Sequence, residues 1–313
     1  MATYIVRRIL LLIPLVWGVV TIVFLVVHSL PGNPAAVLLG PFATASREAG
    51  LDAQWGLNQP LPVQYVRYLG NLLQGNLGTS FLTNEPAALQ IEVALPYTLV
   101  LGVLATIISV IVGIPLGVLA AVKANTWLDH ASVILSLLEL AAPSFLIGIV
   151  SLLVFAGDLG WLPAIGGGSF SNFGDLMAHT ILPAIALGAG FHAFLTRMTR
   201  SSLLTVLHED YIRTARAKGL SGRIVIYKHA MRNAMLPVLA VVGLYVGSIV
   251  GGTAIIEEVF ARPGIGSLLI NSVTGRDYIQ VQACVIVLAL AFVLVNLLTD
   301  VAYGVVDPRI QYR

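Results

Sequence analysis

Long apolar runs separated by short polar segments dominate this chain. Six of the runs reach the roughly 20 residues that a helix needs to cross the hydrocarbon core of a bilayer. Only a helix or a closed barrel satisfies its own backbone there, because water is absent. The predicted spans cover residues 9–30, 97–122, 131–156, 180–198, 236–256 and 281–303. The pattern therefore predicts an all-α integral membrane protein with six transmembrane helices.

Composition excludes a water-soluble globular fold. Hydrophobic residues make up 58% of the 313 positions, charged residues only 10%, and mean hydropathy is +0.91, whereas soluble domains carry about 25% charge. Placing both termini in the cytoplasm puts thirteen of the 17 Lys and Arg residues inside. That imbalance is what the positive-inside rule requires, so it predicts the orientation.

Two connections are longer than a simple hairpin needs, and they suggest how the chain is organised. Residues 1–96 are predicted to form the first span plus an extracytoplasmic segment, and residues 97–313 a five-helix core. Within the first part, Val66, Leu69 and Leu73 recur at helical spacing and predict a short amphipathic helix over 60–75. We interpret it either as a structural cover over the bundle or as a contact for a transported solute.

The second long connection, residues 201–235, is predicted to be a cytoplasmic helix–turn–helix. The apolar stripe of its first helix is Leu204, Leu207, Tyr211 and Ala215, and that of its second is Ile224, Tyr227 and Met231. Gly219 ends the first helix, Ser221 caps the second, and Glu209 lies four residues before Arg213, the spacing of a helix-supporting ion pair.

This hairpin is rich in basic residues, and three kinds of partner fit that charge: anionic lipid, nucleic acid or a soluble protein. The bases are Arg213, Arg216, Lys218, Arg223, Lys228 and Arg232. Acidic residues among them, together with the two apolar stripes, favour a shaped contact with a protein. A loose basic cluster would be sufficient for lipid.

Catalytic and metal-binding patterns do not occur in the sequence. There is no G-x-x-x-x-G-K-[ST] phosphate loop, no H-E-x-x-H and no G-x-S-x-G. Cys284 is the single cysteine, and His179 and His192 are isolated, so we predict neither a metal site nor an enzyme.

A carboxylate in mid-membrane needs a reason, since it costs roughly 2.5–3.5 kcal/mol on insertion scales. Glu139, four residues before Pro143, either lines a solute path or makes a structural hydrogen bond. Further candidate path-lining positions are Ser144, Gly243, Gly247 and Gly251. The three glycines form a row that allows close helix packing, which predicts a contact inside the chain, a seam with a second membrane chain, or a mobile wall of the path.

Several motifs in order resemble those of one transporter family. The run Asp210-Tyr-Ile-Arg-Thr-Ala-Arg-Ala-Lys-Gly-Leu-Ser and the later Lys228-His-Ala-Met-Arg-Asn-Ala-Met-Leu-Pro resemble the cytoplasmic "EAA" loop of ATP-binding-cassette importer permeases. Gly75-Asn-Leu-Gly-Thr-Ser-Phe and Glu257-Glu-Val-Phe-Ala-Arg-Pro-Gly-Ile-Gly are similar to the dipeptide/oligopeptide/nickel branch. Where the superfamily has Glu-Ala-Ala, this chain has Arg213-Thr-Ala, as that branch does.

The resemblance implies a type I importer permease fold with both termini cytoplasmic, in the cell membrane of a prokaryote. It implies a second, related but non-identical permease chain, two ATPase subunits that bind ATP and Mg²⁺, and an extracytoplasmic solute-binding protein. No cofactor and no nucleic acid are expected on this chain. Oligopeptides or dipeptides are the implied solutes; the alternatives are nickel or another small solute, or an ion-gradient-driven secondary transporter.

The resemblance also assigns residues by position. The contacts with the ATPase would be Asp210, Tyr211, Arg213, Thr214, Ala215, Arg216, Ala217, Lys218, Gly219 and Leu220. The residues that face the solute-binding protein or the mouth of the path would be Arg262, Gly264, Gly266, Arg276 and Asp277. A structural plug is the alternative for this second group.

Overall fold

The computed structural model describes residues 2–29, 33–40 and 43–306, and its regular elements are helices. Within this described part, the only β pairing is an isolated bridge between Thr79 and Pro86. The helices are α1 (Ala2–Ser29), α2 (Pro34–Leu39), α3 (Ala45–Trp55), α4 (Leu61–Leu73), α5 (Ala87–Val122), α6 (Trp127–Ala141), α7 (Ser144–Ser151), α8 (Phe173–Leu207), α9 (Asp210–Ala217), α10 (Gly222–Ile224), α11 (Met231–Val259), α12 (Ile265–Thr274) and α13 (Tyr278–Val306).

Four stretches of the described chain are long and apolar enough to cross a membrane: Ala87–Val122, Phe173–Leu207, Gly222–Val246 and Tyr278–Leu297. They confirm four of the predicted spans. Helix α1 occupies the first predicted span with 28 helical residues, and Ile13–Ser29 is its described apolar part.

The third predicted span is a broken helix and not one continuous helix. Helices α6 and α7 bend by 105° at a short break. Pro143 causes it, because its ring clashes with the preceding turn and offers no N–H. The residue before it, Ala142, accordingly takes an extended conformation with φ −83° and ψ 130°. A π-helical stretch, Leu152–Asp158, extends α7.

The described residues pack as two compact units. The first combines 2–98 with Pro263–Leu294, and the second is built on Leu99–Arg262. The two parts predicted from the sequence, residues 1–96 and 97–313, are a division into domains, and this division remains a prediction.

In the first unit, α4 forms where the sequence predicts it and contacts α1 through Tyr65, although none of its residues is fully buried. Tyr65 packs against Phe24 of α1, with ring centroids 5.2 Å apart, and its hydroxyl lies 2.6 Å from the Thr21 hydroxyl. Of the predicted apolar stripe, Leu69 is half-buried, whereas Val66 and Leu73 are 69% and 90% exposed. Aromatic rings bury more area than aliphatic side chains, which explains why the face with Tyr65 contacts α1. The contact with α1 favours the interpretation of α4 as a cover.

In the second unit, missing side chains allow α5 and α8 to lie close together. A Cβ at Gly188 of α8 would lie 2.5 Å from the Ser109 hydroxyl and 3.0 Å from the Ala105 carbonyl of α5. Helix α6 is tied to α8 by a bidentate pair, in which Arg200 Nε and Nη2 donate to the two carboxylate oxygens of Asp129 at 2.5 and 2.8 Å. These contacts hold α5, α6 and α8 together.

Candidate functional site

The predicted helix–turn–helix is present and is fixed by a small apolar cluster. Helix α9 has two buried residues, Ile212 and Ala215, three apart on one face. They pack with residues from the ends of the long helices and from the return segment: Val118, Ala121, Leu203, Val225, Ala230 and Ala234. Val118 and Ala121 lie on α5 and Leu203 lies on α8, so α9 packs directly against the ends of two long apolar helices.

The turn after α9 is a Schellman motif, which Gly219 makes possible. Its φ is +75°, a left-handed conformation that a residue with a Cβ rarely adopts. The Gly219 N–H donates to the Arg216 carbonyl at 3.0 Å, and the Leu220 N–H donates to the Ala215 carbonyl at 3.4 Å. The predicted helix break is therefore confirmed. Ser221 takes the N-cap position of α10 but makes no capping bond with its side chain.

Both predicted apolar stripes of the hairpin are partly wrong. In the first, Ile212 takes the buried position that was expected for Tyr211, whose hydroxyl instead accepts a hydrogen bond from the Asn233 amide at 2.8 Å. In the second, Val225 and Ala230 are buried, while Tyr227 is exposed.

A change of helical period explains the second error. Residues Val225–Ala230 form a π-helical turn, which has more residues per turn than an α-helix and hydrogen bonds from i to i+5. Residues five apart, such as Val225 and Ala230, then share a face. The α-helical spacing used for Ile224, Tyr227 and Met231 does not apply over this segment.

The outer face of the hairpin is charged and solvent-exposed. Of the ten residues expected to contact an ATPase, Ala215 is buried in this chain and the other nine are exposed. Arg213 pairs with Asp210 at 3.5 Å, where the sequence predicted Glu209 as its partner. The remaining bases of the hairpin are also exposed, and within the described residues none of them forms an ion pair. The hairpin thus presents exposed charged side chains on a backbone that is packed against the long helices.

Among the predicted path residues, Glu139 lines a cavity and is paired. Its Oε2 lies 2.7 Å from His192 Nδ1 on α8. The cavity, about 550 Å³, is open on one side and is lined by residues of α5, α6, α7 and α8 within the second unit. Sequence reasoning missed this pairing, because 53 residues separate the two positions. The sequence carries one signal of this pairing: Glu139 and His192, an acid and a base, lie in consecutive apolar spans.

The other predicted path residues do not line this cavity. Ser144 is half-buried at the start of α7, Gly243 is buried in α11, and Gly251 is exposed there with open space where a Cβ would stand. Gly247 is helical, and its surroundings lie outside the described residues. Over the described ranges, no group of three His, Cys, Asp or Glu side chains is placed to hold a metal ion.

Four of the five residues expected to face a binding protein or the mouth of the path are interior. Arg262 is 1% exposed and reaches the carbonyls of Gly167 and His179 at 3.5 and 3.4 Å. Gly264 and Gly266 are buried.

Asp277, also buried, accepts hydrogen bonds from the Ser80 hydroxyl and from the backbone N–H groups of Phe81 and Gln280, the latter two at 3.2 Å. It therefore anchors the start of α13 to the turn before α5. Only Arg276 of the five is exposed.

Comparison with known proteins decides the family. The family model described as "Binding-protein-dependent transport system inner membrane component" matches residues 113–312, and the model of the corresponding N-terminal region matches residues 1–102. Together they cover almost the whole chain. The chain belongs to this family of binding-protein-dependent permeases.

Relatives of the permease match it from end to end. It is 41% identical to the dipeptide transport system permease protein DppB of Alkalihalophilus pseudofirmus and 42% identical to the glutathione transport system permease protein GsiC of Salmonella paratyphi A, with 100% of each chain covered. Among solved structures, it is similar to a chain of the MetNI methionine ABC transporter in inward-facing conformations. That match has a TM-score of 0.54 and 17% identity, and covers 70% of this chain and 97% of the other. The permease is thus an ABC importer subunit of the inner membrane with the type I importer fold.

Proposed function

We propose that this permease forms one half of the translocation path of an ATP-driven importer of dipeptides or similarly short peptides. The names of the full-length relatives support the substrate class, since one is a dipeptide permease and the other a glutathione permease. Both solutes are short peptides with a charged amino group and a carboxylate. The second half of the path is a related permease chain.

Hydrolysis of ATP takes place on two partner ATPase subunits. The chain lacks a phosphate loop, so ATP and Mg²⁺ bind to those subunits, and this permease contributes no catalytic group. An extracytoplasmic binding protein delivers the solute.

The hairpin around α9 is the part that receives force from the ATPase. The observation that carries this proposal is that the two faces of α9 differ. Ile212 and Ala215 are buried on its inner face, and its outer face is exposed and charged. A rigid backbone is needed to transmit a displacement, and exposed charges set the register of a docked partner. The charge distribution places this hairpin on the cytoplasmic side, where the nucleotide is.

On the opposite side, Arg276 is the candidate contact for the binding protein. It is exposed and lies directly before the buried anchor Asp277. The other four residues predicted for this contact, Arg262, Gly264, Gly266 and Asp277, are buried in the described conformation.

Reconstitution tests the proposed function. The permease is purified with its partner permease and ATPases, placed in liposomes, and supplied with the binding protein and a radiolabelled dipeptide. We expect uptake that requires ATP, and much less uptake when the binding protein is omitted. Uptake of equal rate without nucleotide would contradict the proposal and indicate a gradient-driven carrier.

A further inference from the structure

The cavity next to the α6–α7 break has the size and lining of a small-ligand site. Its volume of about 550 Å³ lies within the range of roughly 300–1,000 Å³ that is usual for small-molecule pockets. The walls are almost entirely apolar, and the polar side chains that line it are Ser109, Glu139 and His192. Few polar groups in an apolar wall are the arrangement that orients a ligand.

Of these three polar groups, Ser109 already makes hydrogen bonds within the chain. Its hydroxyl donates to the carbonyls of Ala105 and Gly188 at 2.8 and 3.0 Å. Glu139 has one oxygen at the imidazole, and its carboxylate makes no further hydrogen bond with the described residues. The carboxylate side chain is about one-fifth exposed, so it remains reachable from the cavity.

The imidazole of His192 holds the carboxylate in place. An ionised carboxylate only accepts hydrogen bonds, so towards it Nδ1 is the donor of the 2.7 Å contact. Nε2 of the same ring is buried without a hydrogen-bond partner among the described residues.

Backbone chemistry adds another acceptor at the same residue. In a continuous helix the carbonyl of Glu139 would receive the N–H of the residue four positions later. That residue is Pro143, which has no N–H. Glu139, which lines the cavity with its side chain, thus also has a backbone carbonyl that lacks its helical donor.

We propose that this cavity is a solute-contact site in which the Glu139 carboxylate receives the protonated amino group of a short peptide, while the apolar walls take its side chains. His192 is a positioning residue that holds the carboxylate through Nδ1. The inference rests on the proposed function, since it assumes that the solute is a peptide. An ammonium group matches the pair because it brings donors and a positive charge, whereas a solute carboxylate would be repelled.

The test measures binding to the complex of both permeases and both ATPases in nanodiscs, without the binding protein, which has a solute site of its own. The probes are L-leucyl-L-leucine and its N-acetyl derivative, which keeps the side chains but removes the charge of the amino group. We expect the wild type to bind the free dipeptide at least about tenfold more tightly, as a charge-assisted buried hydrogen bond warrants.

Three variants separate the solute contact from a structural tether. Glu139→Gln removes the charge but keeps an oxygen that accepts from His192, so we expect the tenfold preference to disappear while the thermal midpoint is nearly unchanged. His192→Gln is expected to reduce the preference, because the carboxylate is no longer held. Ser132→Ala, on the same face of α6 and seven residues earlier, is the control and should keep the full preference.

Several results would overturn the inference: equal binding of both probes by the wild type, no saturable binding at all, a preserved preference in Glu139→Gln, or an equal loss in Ser132→Ala. Its failure is separable from failure of the proposed function. Wild-type uptake of labelled dipeptide with all subunits present decides the function, whichever way the binding assay falls.

Discussion

Replacing Ile212 by alanine tests whether α9 must be locked to the membrane helices. Ile212 is completely buried and is one of two buried residues in an eight-residue helix. Truncating a buried isoleucine to alanine costs about 2–5 kcal/mol. A helix this short is not stable on its own, so most of that free energy is lost from the docking of α9. Even about 2 kcal/mol lowers the docked population relative to the undocked one by roughly thirtyfold.

The assay compares ATP hydrolysis and dipeptide uptake in the reconstituted complex. We expect Ile212→Ala to keep basal hydrolysis, because the nucleotide sites lie on other subunits, but to lose most of the uptake per ATP hydrolysed. Ile224→Ala is the matched control, since it makes the same chemical change in the same hairpin at a side chain that is 43% exposed. It should lower uptake little.

Equal losses of uptake in the two variants would refute the reasoning, because the effect of the substitution would then not depend on burial of the side chain. Full uptake by Ile212→Ala, with the complex intact in size-exclusion chromatography, would refute it as well. In that case α9 would transmit force without being anchored through its apolar face.

Three further predictions concern backbone geometry and a buried anchor, and each is checked by the thermal midpoint of the purified complex. Gly219→Ala should destabilise the hairpin by about 1–2 kcal/mol, because φ is +75° there, whereas Gly222→Ala meets open space and should be neutral or slightly stabilising. Gly188→Ala should lower the midpoint by several degrees, since the new Cβ would lie 2.5 Å from a hydroxyl of α5. Gly190→Ala is the control on the same helix and should leave the midpoint unchanged, because no atom lies within 4 Å of its new Cβ. Equal midpoints of the two variants would contradict the close packing of α5 and α8. Asp277→Ala should lower the free energy of unfolding by about 2–4 kcal/mol, because it removes a helix cap and leaves buried donors unpaired. Arg276→Ala should leave the midpoint unchanged but reduce the stimulation of ATP hydrolysis by the binding protein.

Local patterns along the chain are sufficient to predict much of this fold. The apolar runs predict the long helices, since only a helix satisfies its own backbone in hydrocarbon. Gly219 marks the turn of the hairpin, because positive φ is a property of a single residue. The order of motifs is enough to indicate the family before any coordinates are considered.

Which face of a helix is buried was decided by the tertiary structure. Tyr211 and Ile212 are neighbours, and both fit an apolar stripe within the tolerance of helical periodicity. The ends of α5 and α8 offer an apolar site, which takes the aliphatic side chain, and the tyrosine hydroxyl finds Asn233 at the rim. The π-helical turn at Val225–Ala230 likewise follows from packing, and it shifts the register that a uniform α-helical period predicts.

The sequence by itself determined where the chain crosses the membrane, where it turns, and that Glu139 in an apolar span either lines a solute path or makes a structural hydrogen bond. Only the tertiary structure decided that the partner is His192, that Asp277 lies inside, and that α6 and α7 meet at 105°. The physical reason is range. Helix formation and turns depend on residues a few positions apart, whereas pairing across helices depends on how distant segments cross.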